Sequence, residues 1–165
     1  MSRVHVVDHD PEWARRRFTL ATMIDCIFCK VLSGSAPVSL VYSDDLVAAF
    51  MDIHPVNLGH LLVMPRRHAP LMADVTPDEA CAMMRVGQRT TVALRASTLP
   101  CEGVNYFLAD GEAAMQEVFH AHLHVFPRFK GDNFGLRFSP EYYTRRLPRQ
   151  ELDQQAAELR ALLSG

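Results

Sequence analysis

The sequence lacks any run of about 18 apolar residues, the length that a membrane-spanning helix needs, so we expect no membrane span. Its four cysteines are too few for a disulfide scaffold in a chain of 165 residues. No charge of one sign dominates: the net charge of −2 gives no electrostatic reason to expect a nucleic-acid polymer as partner. No secretory signal is recognised, so these absences favour a cytoplasmic globular protein.

The length is suited to one domain with appendages. We expect residues 1–24 to form an N-terminal arm, with a helix over about Pro11–Met23 because Asp10-Pro11 is a plausible cap and first position. Residues 25–134 carry the tightest pattern and are expected to form the main domain. Residues 135–165 are expected to form an extension that ends in a helix opened by Pro148.

Short apolar segments separated by turn residues predict five strands, and their short connections favour antiparallel pairing. The predicted strands are Val38–Tyr42, Leu46–Asp52, His60–Met64, Val104–Leu108 and Val118–Phe126. Thr76-Pro77 with Glu79 predicts the start of one long helix that runs to about Ala96. The expected fold class is therefore α+β, with a five-stranded antiparallel sheet, one long helix and a C-terminal helix.

Histidine is abundant, with eight residues, and three of these alternate at His120, His122 and His124. On a strand they would share one face, about 6.6 Å apart, while Ala121, Leu123 and Val125 pack on the other face. Three unpaired imidazoles are costly to bury, so the pattern indicates function. Two chemistries remain open: a three-histidine zinc site that activates water, and an imidazole nucleophile acting on phosphorus. Strand geometry argues against all three histidines binding one metal.

The segment from His120 to Arg128 resembles the signature of the histidine-triad (HIT) family of nucleotide hydrolases and transferases. Further segments match that family's landmarks in order, over about two-thirds of the chain. They are Cys26-Ile-Phe-Cys29-Lys30, Phe50-Met-Asp52-Ile53, Gly59-His60, Pro65-Arg-Arg-His68, Gly103-Val-Asn105, Asp110-Gly111-Glu112 and Gly131-Asp132. The resemblance implies the HIT-like fold and a homodimer whose two sheets join into one of ten strands.

The resemblance also implies an activity: cleavage of a substituted α-phosphate of a purine nucleotide, either a phosphoramidate or a dinucleoside polyphosphate. His122 would be the nucleophile and would form a nucleotidyl-histidine intermediate. His124 would contact the phosphate and assist the leaving group, and Gln116 would donate to the phosphate region. No organic cofactor is implied.

The same resemblance implies a nucleotide-binding set. Asp52 would accept hydrogen bonds from the ribose hydroxyls, which suits an ionised carboxylate. Ile27, Phe50 and Ile53 would flank the base, although the residues alone would place all three in an ordinary core. Three departures from the family pattern lie in the phosphate-binding loop: Ala109, Met115 and Glu117. They favour, as an alternative, a nucleotide-binding regulatory module of weak activity.

Cys26 and Cys29 form a C-x-x-C pair, which by itself is consistent with half a zinc site, a redox pair or chance. A zinc-binding subgroup of the family implies the remaining ligands, His68 and His120. This Cys₂His₂ set would be closed and therefore structural.

Overall fold

The computed structural model describes residues 25–164. The predicted N-terminal arm and its helix lie outside these residues. The chain divides into two compact units, Met1–Asp132 and Asn133–Gly165. Among the described residues, no helix combines the length and apolar character needed to cross a membrane.

The first unit contains a five-stranded sheet in which every neighbouring pair is antiparallel. The strands are β1 (Leu40–Ser43), β2 (Val47–Met51), β3 (Leu61–Pro65), β4 (Gly103–Leu108) and β5 (Leu123–Arg128). Their spatial order is β1-β2-β3-β5-β4, so β5 lies between β3 and β4. This arrangement confirms the predicted α+β class and the five-stranded antiparallel sheet.

The predicted start of the fifth strand at Val118 is wrong, because the strand begins at Leu123 and runs to Arg128. The preceding residues bond outside the sheet: the Ala121 amide donates to the Ala69 carbonyl at 2.6 Å, in the segment that follows β3. His120 and His122 therefore precede the strand, and only His124 lies on it. The strict alternation expected for the three histidines fails at this point.

The helices of the first unit begin and end at recognisable signals. Helix α1 (Ile27–Leu32) ends in a Schellman motif, in which the Ser35 amide donates to the Lys30 carbonyl and Gly34 has a φ of +79°. Helix α2 (Pro77–Ala96) begins at the predicted capping box. There the Thr76 hydroxyl accepts from the Glu79 amide, and the Glu79 carboxylate accepts from the Thr76 amide.

The sheet carries a core cluster on each face, because successive strand residues point to opposite sides. On one face, Ala49, Val63 and Val125 pack with Met83 and Val86 of α2. On the other face, the second cluster consists of Cys26, Phe28, Phe50, Leu62 and Met64. Leu123 and Val125 lie in the first cluster, as predicted. His124 is registered opposite Leu62, so its side chain lies on the second face.

The second unit contains two helices, α3 (Pro140–Thr144) and α4 (Arg149–Leu163). Pro148 stands immediately before α4, where the sequence predicts a helix start. Phe138 stacks on Tyr142 with the ring centroids 4.2 Å apart. No residue of α4 is buried, and the exposed side chains include Leu152, Leu159, Leu162 and Leu163.

Candidate active site and metal centre

A hydrogen bond determines which ring nitrogen of His122 carries the proton. Its Nδ1 lies 2.7 Å from the backbone carbonyl oxygen of His120. Because a carbonyl only accepts, Nδ1 must carry the proton, and in the neutral ring Nε2 keeps a lone pair. His122 is only 6% exposed, and burial lowers its pKa from the ordinary value. The arrangement provides a neutral imidazole with a free nucleophilic nitrogen at pH 7.

An aromatic side chain that the sequence interpretation did not assign to the site supports this ring. Phe28 of α1 packs edge-on against His122, with the centroids 5.0 Å apart, and against Phe50 at 5.7 Å. The sequence signal that could have identified Phe28 as a site residue is its position between the two cysteines of the C-x-x-C pair. Phe28 thereby links the short helix, the sheet and His122.

A second group of polar side chains surrounds His124. His124 Nδ1 lies 3.0 Å from His60 Nε2 and 3.8 Å from Asp52 Oδ2. Burial, together with the nearby His122 and His60 rings, lowers the pKa of His124 to about 4. Asp52 is placed by the His54 amide, which donates to its Oδ1 at 2.8 Å. The structure thus brings the residue predicted to bind ribose next to the third histidine of the triad.

The three residues predicted to flank the base differ in exposure. Phe50 is 4% exposed and belongs to the core, whereas Ile27 is 47% and Ile53 85% exposed. The interpretation as ordinary core is therefore right for Phe50 and wrong for the two isoleucines. Ile27 and Ile53 offer apolar surface to solvent, as a planar ligand would require.

Gln116 is buried, and both the oxygen and the nitrogen of its side-chain amide form hydrogen bonds with backbone groups. Its Oε1 accepts from the Gly111 amide at 2.8 Å, while its Nε2 donates to the carbonyls of Pro70 and Val118 at 2.7 and 3.1 Å. The side chain therefore cross-links three segments around the triad. Met115, beside it, has a left-handed φ of +69° and is 71% exposed.

The four predicted zinc ligands converge. The donor atoms of Cys26, Cys29, His68 and His120 all lie within 4.8 Å of one another, although the last two come from distant parts of the sequence. His120 Nδ1 is 3.6 Å from Cys26 Sγ and 3.7 Å from Cys29 Sγ, and His68 Nδ1 is 3.3 Å from Cys29 Sγ. Tetrahedral zinc with ordinary bond lengths would hold sulfur and nitrogen about 3.6 Å apart.

The chemistry of this group also fits zinc. His120 Nε2 donates to the Pro65 carbonyl at 2.8 Å, which leaves the Nδ1 lone pair directed at the thiols. Burial and the adjacent Cys26 thiol raise the pKa of Cys29 to about 11, so without a cation the thiol stays protonated. A metal ion would reverse that preference by stabilising the thiolate. His68 Nε2 is buried without a hydrogen-bond partner among the described residues.

The three histidines of the triad do not converge on one metal. Among residues 25–164, two groups of three or more potential ligands have donor atoms within 4.8 Å, and neither contains the whole triad. His120 faces the cysteines, and His122 uses Nδ1 on a carbonyl. This geometry does not favour the three-histidine zinc hydrolase.

Comparisons with known proteins find a matching family model and similar sequences. The family model described as HIT domain matches residues 33–131. A HIT-like protein of Borreliella burgdorferi is 42% identical over 116 residues, which cover 70% of this chain and 84% of that protein. The adenylylsulfatase HINT3 of Arabidopsis thaliana is 32% identical over 108 residues, covering 66% of this chain and 54% of that protein.

Solved structures include a Zn-bound histidine triad family protein from Mycobacterium smegmatis. It superposes with a TM-score of 0.66 at 42% identity and covers 72% of this chain and 85% of that one.

Proposed function

Because this chain belongs to the HIT family, we propose that it is a nucleotide hydrolase or nucleotidyl transferase that cleaves a substituted α-phosphate of a purine nucleotide. The substrate class is a phosphoramidate or a dinucleoside polyphosphate. The adenylylsulfatase named among its relatives supports nucleotide hydrolysis in general.

The observation that carries the proposal is the hydrogen bond from His122 Nδ1 to the His120 carbonyl. In the first step, Nε2 of His122 forms a bond to the α-phosphorus, and the leaving group departs with the electron pair of its own bond to phosphorus; the amine of a phosphoramidate also takes a proton from solvent. The ring becomes cationic, and the carbonyl at Nδ1 stabilises that charge. In the second step, water attacks phosphorus and releases a proton to solvent, the N–P bond breaks, and Nε2 recovers its lone pair.

The nucleotide would bind through side chains that surround this nitrogen. Asp52 would accept hydrogen bonds from the ribose hydroxyls with the lone pairs that the His54 amide leaves free. The exposed side chains of Ile27 and Ile53 would pack against the purine. His124 would contact the phosphate, and Gln116 would shape the loop around it through its bonds to Gly111, Pro70 and Val118.

Cys26, Cys29, His68 and His120 would hold a structural zinc ion. Four protein ligands close the coordination shell, so the ion would supply cross-linking and no activated water. The ligand His120 also provides the carbonyl that accepts the hydrogen bond from His122 Nδ1, so the metal centre would fix the backbone next to the nucleophile.

We further propose a homodimer in which two sheets join along an edge. Strands β1 and β4 are the edges of the five-stranded sheet and are therefore the candidate joining strands.

Turnover of adenosine 5′-phosphoramidate tests the proposed reaction. His122→Ala should lower kcat by at least about 10³-fold, as loss of a nucleophile does, while AMP binding measured by calorimetry stays within a few-fold. Quenching the wild-type reaction should trap phosphorus on His122. Retained turnover in the variant would overturn the assignment. AMP binding by the wild type without turnover of any phosphoramidate or dinucleoside polyphosphate would instead favour the regulatory module.

A further inference from the structure

His60 is buried beside the triad without a role in the steps above. It is 2% exposed, lies just before β3, and packs its ring 5.0 Å from that of Phe126. Its two ring nitrogens face different partners: Nδ1 faces the backbone amide of Val56 at 3.1 Å, and Nε2 faces His124 Nδ1 at 3.0 Å. These two contacts together determine where the protons lie.

The Val56 amide can only donate, so His60 Nδ1 must be its acceptor and carries no proton. Neutral His60 then has its proton on Nε2, which points at His124 Nδ1. The opposite tautomer would direct an N–H of the ring at the N–H of Val56, donor against donor. Asp52 Oδ2 is 3.5 Å from the same Nδ1, which is longer than an ordinary N–H···O hydrogen bond.

We propose that His60 is a positioning residue that fixes the tautomer of His124: Nε2–H of His60 donates to Nδ1 of His124, so His124 carries its own proton on Nε2. The proposal rests on the proposed function for the use of that proton. Nε2–H of His124 would be the donor offered to the phosphate oxygens. The other tautomer would present a lone pair to an anion.

The surroundings of His60 hold its ring in place. The His60 amide donates to the Asn57 carbonyl, and the Asn57 side chain donates to the Pro127 carbonyl and to Asp132. The His60 carbonyl accepts from the Asp52 amide.

The potential metal-ligand atoms of Asp52, His60 and His124 also lie within 4.8 Å of one another. Both ring nitrogens of His60, however, already have hydrogen-bond partners.

Two-bond ¹H–¹⁵N correlation spectra of the ¹⁵N-histidine protein test the tautomers directly, in the wild type and without substrate. We expect both His60 and His124 to be Nε2–H tautomers near pH 7.5. A proton on Nδ1 of either ring overturns the proposal. Because this measurement needs no turnover, it separates the tautomer assignment from the proposed reaction.

Two variants then test the consequence. His60→Gln can still donate to His124 and accept from Val56, whereas His60→Leu removes the donor. In the Leu variant we expect the Nε2–H tautomer of His124 to give way to a mixture and kcat for the phosphoramidate to fall about 10- to 100-fold with KM little changed. The Gln variant should retain the tautomer and kcat within a few-fold of the wild type. Equal kcat losses in the two variants, with His124 unchanged in both, would refute the positioning role.

Discussion

The Gly59→Ala substitution should destabilise the protein because two separate effects act at this residue. Gly59 immediately precedes His60 and has a φ of +97°. A Cβ there would lie 2.8 Å from Leu99 Cδ1, 3.0 Å from Leu94 Cδ2 and 3.3 Å from Pro127 Cγ. The new methyl group therefore meets both an unfavourable backbone conformation and a closed space.

The expected magnitude follows from these two effects. A side chain in left-handed backbone costs about 1–2 kcal/mol. Overpacking costs about 1–3 kcal/mol, and the lower part of that range applies because the closest atoms are the tips of flexible leucines. We therefore expect the free energy of unfolding to fall by about 2–4 kcal/mol. Gly34 is the matched control: its φ is +79°, and a Cβ there has no neighbour within 4 Å.

Urea denaturation of the two zinc-replete variants, at one protein concentration, measures the comparison. Gly34→Ala should lose only the backbone contribution, about 1–2 kcal/mol, so its midpoint should fall clearly less than that of Gly59→Ala. Equal losses of unfolding free energy in the two variants would show that the leucine side chains move aside at no cost, so that the close approach does not affect stability. A smaller loss in Gly59→Ala than in Gly34→Ala would refute the reasoning altogether.

Two further predictions concern the Glu79 carboxylate and the proposed zinc ligands. Burial raises the pKa of Glu79, but hydrogen bonds from Arg67 and Thr76 outweigh it, so the native pKa lies below the ordinary 4.5. The carboxylate therefore stabilises the fold above pH 4.5, and this contribution disappears as the pH falls through the native pKa. Glu79→Gln should lose about 1–3 kcal/mol in urea at pH 7 and progressively less as the pH falls below 4.5, whereas exposed Asp78→Asn should lose little at any of these pH values; a pH-independent gap would contradict this. The second prediction concerns zinc: elemental analysis should find the metal bound to the wild type and to the Cys81→Ala variant but not to the Cys29→Ala variant. Removal of zinc by a chelator should lower the Tm of the wild type by several degrees. Zinc retained by Cys29→Ala would exclude the proposed ligand set.

Local signals in the sequence were sufficient to predict the starts of α2 and α4. The Thr76–Glu79 capping box is contained within four residues, so its geometry follows from the sequence alone. The two faces of β5 from Leu123 onward were also predictable, since alternation is a local property. The zinc ligands converge as implied, but that prediction depended on a family resemblance, because nothing local relates His68 to Cys29.

Tertiary contacts explain what the sequence could not predict. Phe50 and Ile53 lie only three residues apart in the sequence, yet one is 4% and the other 85% exposed. The difference arises because Phe28 of α1 covers Phe50, with their centroids 5.7 Å apart. The role of His60 depends on the Val56 amide, whose orientation is set by the fold of the intervening loop.

The late start of β5 has a chemical consequence. In a regular strand from Val118, the amide of Ala121 would point toward a neighbouring strand, and His120 and His122 would present their rings side by side. Instead, Ala121 donates to Ala69, and the chain is irregular until Leu123. His120 can then turn its ring to the thiols of Cys26 and Cys29 while its carbonyl accepts from His122 Nδ1. The irregular backbone that breaks the expected alternation thus gives His120 and His122 different sets of contacts.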